Sequence, residues 1–144
     1  MGDGRGRSGY EYAKHVADVR IRAWGSGLEE TLVAVTGGLW RYVLGNASVP
    51  ITRSWEVSAR GQDLEDALVG FLNEQIFLYE SEGLLPASVK DLRVRGEHGA
   101  VSLRALFEGC LSNEMPTAPE RQVKAATFHE LVVRPELIEV TLDV

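Results

Sequence analysis

Residues 137–144 read LIEVTLDV, with apolar side chains at Ile138, Val140, Leu142 and Val144 alternating with Glu139, Thr141 and Asp143. A period of two belongs to a strand with one buried face. The same alternation runs through VADVRIRAW at 16–24, where Val19, Ile21 and Ala23 take one face and Asp18, Arg20, Arg22 and Trp24 the other. Each strand carries an aspartate at one end of its polar face. Asp18 opens the first, and Asp143 adjoins the carboxylate of Val144 in the last. Chain ends usually fray, so a strand patterned to its final residue raises the question of what those carboxylates face.

Between these strands the periodicity switches back and forth. Ser26 and Glu29 are spaced as a capping box, and Leu28, Leu32, Val35, Leu39 and Tyr42 follow at helical spacing until Gly45. Gly37-Gly38 weakens this first helix and either lets another element pack closely or is simply tolerated, tolerance being the safer reading. Trp55, Val57 and Ala59 alternate with polar residues in a strand over 52–60. Asp63 and Asp66 then open the strongest helix, whose face runs through Leu64, Ala67, Leu68, Phe71, Leu72, Gln75, Leu78 and Tyr79 to a stop at Gly83. Strands over 89–95 and 100–107 flank a turn at 96–99, with His98 at a solvated tip. Residues 109–121 lack periodicity and read as a loop. A strand over 123–133 is polar on neither face, which predicts a central strand covered on both sides, with His129 a satisfied core residue. The order is β-α-β-α-β-β-β-β, a single α+β domain with two helices on a mainly antiparallel sheet arrangement. Residues 1–9 form a flexible tail ahead of the domain at 10–144. Gly4, Gly6 and Gly9 in that tail fit GxGxxG in spacing but follow no strand, so they carry no nucleotide-binding prediction.

At 144 residues the chain is long enough to bury one core without disulfides. Its 44% hydrophobic content is spread over short periodic segments, with no membrane-length run and no apolar stretch behind the basic N-terminus. A cytoplasmic protein is expected. A net charge of −6 argues against strong direct nucleic-acid binding. Cys110 is the only cysteine, which excludes an internal disulfide. No Gly-x-Ser-x-Gly elbow is present, and three histidines (His15, His98 and His129) show no zinc-ligand spacing. No enzymatic activity is predicted.

On spacing alone, Asp18 and Asp143 read as surface carboxylates paired with neighbouring arginines. The alternative is that the two strand ends converge, and that both side chains with the Val144 carboxylate form an all-oxygen site for a hard divalent cation. Lys124 reads either as a surface lysine or as a charge offered to a partner's phosphate or carboxylate.

YEYAKHVADVRIRAWG followed by LEE, GQDLEDALVGFLNEQIFLYESEGLL, VKAATFHELVV and the closing TLDV occur in one order from Tyr10 onward. This ordered set resembles the archease family. The resemblance implies a small accessory protein that activates an RtcB-type RNA ligase, promoting its guanylylation and multiple turnover in tRNA splicing or RNA repair. A general chaperone or protein-interaction module is the alternative, and a metal-dependent phosphoesterase a distant third. The resemblance also implies a divalent-cation site, calcium first with magnesium or manganese next, on Asp18, Asp143 and Val144. The family's activating lysine falls on Lys124, and His15 and His129 stand as residues that would support the ligands from behind. Two positions depart from the family pattern: Val16 replaces a usual Thr, removing a hydroxyl near Asp18, and Phe128 stands where Tyr is common.

Overall fold

The strands that carry Asp18 and Asp143 are hydrogen-bonded neighbours in the computed structural model, which describes residues 7–14 and 17–144. The elements are β1 (Gly9–Lys14), β2 (Asp18–Trp24), α1 (Leu28–Leu44), β3 (Arg53–Gly61), α2 (Leu64–Glu82), β4 (Leu84–Glu97), β5 (Ala100–Leu111), β6 (Ala125–Arg134) and β7 (Leu137–Asp143), with a short 3-10 turn at Ser112–Glu114. From Asp18 onward this is the expected order of an α+β domain. One strand, β1, precedes it, so Gly9, assigned to the tail by sequence, already lies within the sheet opposite Trp24.

The strands form two antiparallel sheets, β1-β2-β7-β6 (sheet A) and β3-β5-β4 (sheet B). Each buries one face on the helices. Val19, Ile21, Ile138, Val140 and Leu142 of sheet A meet Leu32, Val35 and Leu39 of α1, while Leu103 and Phe107 of sheet B meet Leu68, Phe71 and Leu72 of α2. The helices touch through Trp40, whose Nε1 donates to Gln75 Oε1 at 2.7 Å and whose ring meets Tyr79 edge-on at 5.9 Å. That bond satisfies the indole N–H inside the core, where leaving it unpaired costs about 1–3 kcal/mol.

Helix α2 begins as its sequence indicates. Asp63 Oδ1 accepts from the Asp66 N–H at 2.8 Å, Asp66 Oδ2 accepts from the Gln62 N–H at 3.0 Å, and Gly83 closes the helix at φ 76°. Helix α1 differs. Its N-cap is Gly27, and the carboxylate reaching back is Glu30, which accepts from the Ser26 N–H at 2.8 Å, so the Ser26–Glu29 capping box does not form.

Tolerance does not account for Gly38. A Cβ there would lie 3.0 Å from Ile21 Cγ2 and 3.1 Å from Tyr10 Cγ, and the Tyr12 hydroxyl donates to its carbonyl at 2.8 Å. The glycine lets β1 and β2 settle onto α1. Partial burial and the neighbouring Tyr10 push the Tyr12 phenol well above its ordinary value. The folded state therefore resists losing that proton, whereas the unfolded chain releases it near pH 10. The contribution is complete below pH 10 and declines as pH rises beyond it. Tyr12→Phe is expected to cost about 1 kcal/mol at neutral pH through the lost hydrogen bond and to shallow the fall in stability above pH 10. Denaturant melts over an alkaline pH series check both.

Three other sequence expectations are corrected. Strand β6 lies at the edge of sheet A. Its period fails because the register slips between Thr127 and Val132, where Phe128, His129 and Glu130 are exposed, and not because both faces are covered. His129 is accordingly no core residue. Strand β5 runs on to Leu111, into the segment read as loop, and places Cys110 fully inside the core. Burial pushes that thiol up, away from the thiolate a nucleophile needs. The β4–β5 hairpin turns at His98-Gly99, both at positive φ, as the primed two-residue turns require.

Candidate metal centre and activation site

Seven consecutive pairs join β2 to β7, from Trp24 opposite Leu137 to Asp18 opposite Asp143. Side chains in direct register lie roughly 4.5–5.5 Å apart at Cβ, and like charges so placed repel. The Val144 N–H donates to the Ala17 carbonyl at 3.3 Å, holding the last residue alongside the start of β2. The register thus brings Asp18, Asp143 and Val144 together at one end of sheet A.

The neighbouring cation is committed elsewhere. Arg20, next on the same face of β2, donates to Glu139 Oε1 at 2.9 and 3.1 Å, to Thr141 Oγ1 at 2.9 Å and to the Glu130 carbonyl at 2.5 Å. Arg22 pairs with Glu139 at 3.4 Å and with Glu11 at 3.5 Å. Among the described residues, no basic side chain forms an ion pair with Asp18 or Asp143. The reading in which each aspartate is neutralised by a neighbouring arginine is therefore not the arrangement found. Thr141 and Glu139, which hold Arg20 away from the aspartates, carried no signal in the sequence beyond their place on the polar face.

Lys124 is exposed and immediately precedes β6, and its backbone N–H donates to the Asp143 carbonyl at 2.8 Å. Ala125, the next residue, is in register with Asp143. The main chain thus fixes Lys124 beside the carboxylates and leaves its side chain in solvent. His15 lies outside the described residues. His129 is 68% exposed, with Nε2 4.0 Å from Glu130, and sits four residues along β6 from Ala125, up to about 13 Å of strand away. It is not brought behind the aspartates. Glu130 holds a positive φ of 50°, a conformation few non-glycine residues adopt, which turns its carbonyl to Arg20 as the strand bulges.

Among the described residues, no three His, Cys, Asp or Glu side chains converge as a metal cluster. The donors at this end of the sheet are the side-chain carboxylates of Asp18 and Asp143, with the main chain of Val144 beside them. Hard oxygens carrying net negative charge suit calcium, magnesium or manganese and not a thiophilic ion. The fit rests on the shared register and on there being no basic partner among the described residues. No helix among the described residues is long and apolar enough to cross a membrane.

Comparison with known proteins follows the same outline. The model of the Archease protein family (MTH1598/TM1083) matches residues 10–144. Protein archease of Thermococcus kodakarensis is 33% identical over 124 residues, covering 86% of this chain and 87% of that one. Protein archease-like of Drosophila melanogaster is 38% identical over 125 residues, covering 86% and 79%. The solution structure of protein 1598 of Methanobacterium thermoautotrophicum superposes with a TM-score of 0.75 at 20% identity, over 94% of this chain and 99% of that one. A Thermotoga maritima crystal structure, described as an archease and possible chaperone, gives a TM-score of 0.54 at 21% identity, over 93% and 96%. At these identities the two structures establish a common fold. None of these relatives is named for a reaction.

Proposed function

The chain belongs to the archease family, and from that premise we propose that it is a metal-binding accessory protein that activates an RtcB-type RNA ligase. It promotes guanylylation of the ligase, and hence its multiple turnover in tRNA splicing or RNA repair, without itself joining RNA. The observation that carries this reading is the Asp18–Asp143 register pair, left without a basic partner among the described residues and bordered by Lys124. Asp18, Asp143 and Val144 hold the ion, calcium by preference, which offsets the mutual repulsion of the two aspartates and fixes the sheet end that the ligase meets.

Lys124 acts on the partner. Its backbone is anchored by the bond to Asp143, and its ammonium is free to approach a guanylate phosphate or a ligase carboxylate as a flexible point charge. Removing the head group leaves the fold intact. Lys124→Ala is expected to melt within about 0.5 kcal/mol of the parent, as surface changes do, yet to lose at least about tenfold in activation.

Single-turnover guanylylation of the cognate ligase, with and without this protein and its Lys124→Ala variant, tests both statements. A rate unchanged by the protein refutes ligase activation. Equal protection of unrelated aggregating proteins would instead support the general chaperone reading that the Thermotoga protein's description suggests.

A further inference from the structure

The outer face of sheet B concentrates positive charge on an acidic protein. In one cross-strand row Arg60, Ser102 and Arg95 lie side by side, and in the next Ser58, Arg104 and Arg93. These two rows hold four arginines and no carboxylate. The buried face behind them is closed by Leu103, Ala105 and Val57, so the guanidinium groups project to solvent. Arg104 is held by Glu56 of the following row at 2.7 and 3.2 Å, and Lys90, further along, by Glu108 at 2.8 Å. Arg60, Arg93 and Arg95 form no ion pair among the described residues. Arg93 stands directly opposite Arg104, an arrangement that destabilises a sheet. Packing does not call for it.

We propose that this face binds the phosphodiester backbone of a nucleic-acid strand. Guanidinium forks beside serine hydroxyls are a donor set suited to phosphate oxygens. The strand rise puts Arg93 and Arg95 about 6.6 Å apart, and two strand spacings put Arg60 about 9.6 Å from Arg95, so three cations can meet separate phosphates. A protein partner fits less well. Interfaces between proteins are built around apolar and aromatic anchors, whereas the apolar side chain exposed on this face is Leu106, at 36%. With no aromatic side chain in these rows to stack a base, recognition is independent of sequence. Three or four neutralised phosphates give a salt slope of roughly −2 to −3 for a single strand. The net charge of −6 keeps the affinity modest, and as a whole-chain sum it conceals the segregation.

The test is anisotropy of a labelled, mixed-sequence RNA single strand titrated with the full chain from low to physiological salt. It is independent of any ligase. The variant Arg60→Gln/Arg93→Gln/Arg95→Gln is expected to bind roughly tenfold or more weakly and to lose about 2 units of salt slope. Its melting temperature should match or exceed the parent's, since like charges are relieved. Arg60→Lys/Arg93→Lys/Arg95→Lys should retain most of the binding. Unchanged affinity in the glutamine variant overturns the proposal, as does no measurable binding by the parent at low salt. Competition by polyglutamate as effective as by unlabelled RNA overturns it too, in favour of an acidic protein partner.

Discussion

Phe107→Ala is expected to destabilise the protein by about 3–5 kcal/mol and to lower its melting temperature by roughly 10–20 °C. Phe107 is fully buried in β5, between Trp55 of β3, with ring centroids 6.2 Å apart, and Phe71 of α2 at 6.0 Å. It therefore ties sheet B both to itself and to the helix beneath, and its loss leaves a cavity that neither rigid neighbour can fill. Phe107→Leu keeps most of that volume and should cost under about 1.5 kcal/mol. The site at the end of sheet A draws no side chain from β5, so ion-induced stabilisation should persist in both variants, shifted to lower temperature. Thermal melts with and without calcium measure both effects. A Phe107→Ala protein that melts with the parent would place the ring outside the load the two layers share.

The elements legible in the sequence are those whose period is long and unbroken. In α2, eight face positions, an aspartate cap and a glycine stop agree with one another, and the helix forms from Leu64 to Glu82. Strand β2 alternates without a fault, and β7 does so as far as Val140, after which Thr141 is buried as well. The period is lost where a local irregularity intervenes. In β6 the bulge after Thr127 scrambles the faces, which imitates a strand covered on both sides. At the start of β4, Leu84, Leu85 and Pro86 are all buried, and the register slips before Ser88, so proline and the run of apolar residues mask the strand. Strand β1 had a signal, Tyr10 and Tyr12 on one face against α1, but it is short and follows a glycine-rich stretch.

The candidate site was legible as chemistry and not as geometry. Alternation assigns Asp18 and Asp143 to polar faces, but no local pattern reports that β2 pairs with a strand more than a hundred residues away, in the register that opposes the two carboxylates. That pairing is non-local, and a slip of one residue would turn either aspartate into the core. The resemblance to the archease family supplied the connection that spacing could not. It did not supply what draws Arg20 away from them, which is its commitment to Glu139, Thr141 and the carbonyl of a bulged Glu130. The arginine rows of sheet B were hidden in the same way, because their members come from three separate strands.

Asp18→Asn and Asp143→Asn are expected to reverse the order of stabilities on adding calcium. Without the ion, two carboxylates in direct register repel, so each amide variant should be more stable than the parent by about 0.2–1 kcal/mol. With the ion at about a hundredfold excess over its Kd, the parent should gain about 2.7 kcal/mol by linkage, a rise of roughly 10 °C. Either amide removes one of the few charged ligands and should erase most of that gain, leaving the variants below the parent. Lys124→Ala should keep the full gain, because it alters no oxygen ligand. Melting curves over a calcium titration, with chelator to restore the starting point, give the crossing directly, and ligase guanylylation by the same variants should fall wherever the gain is lost. An equal rise in the parent and in both amide variants would mean that the ion acts elsewhere, and that Asp18 and Asp143 are surface charges whose register carries no function.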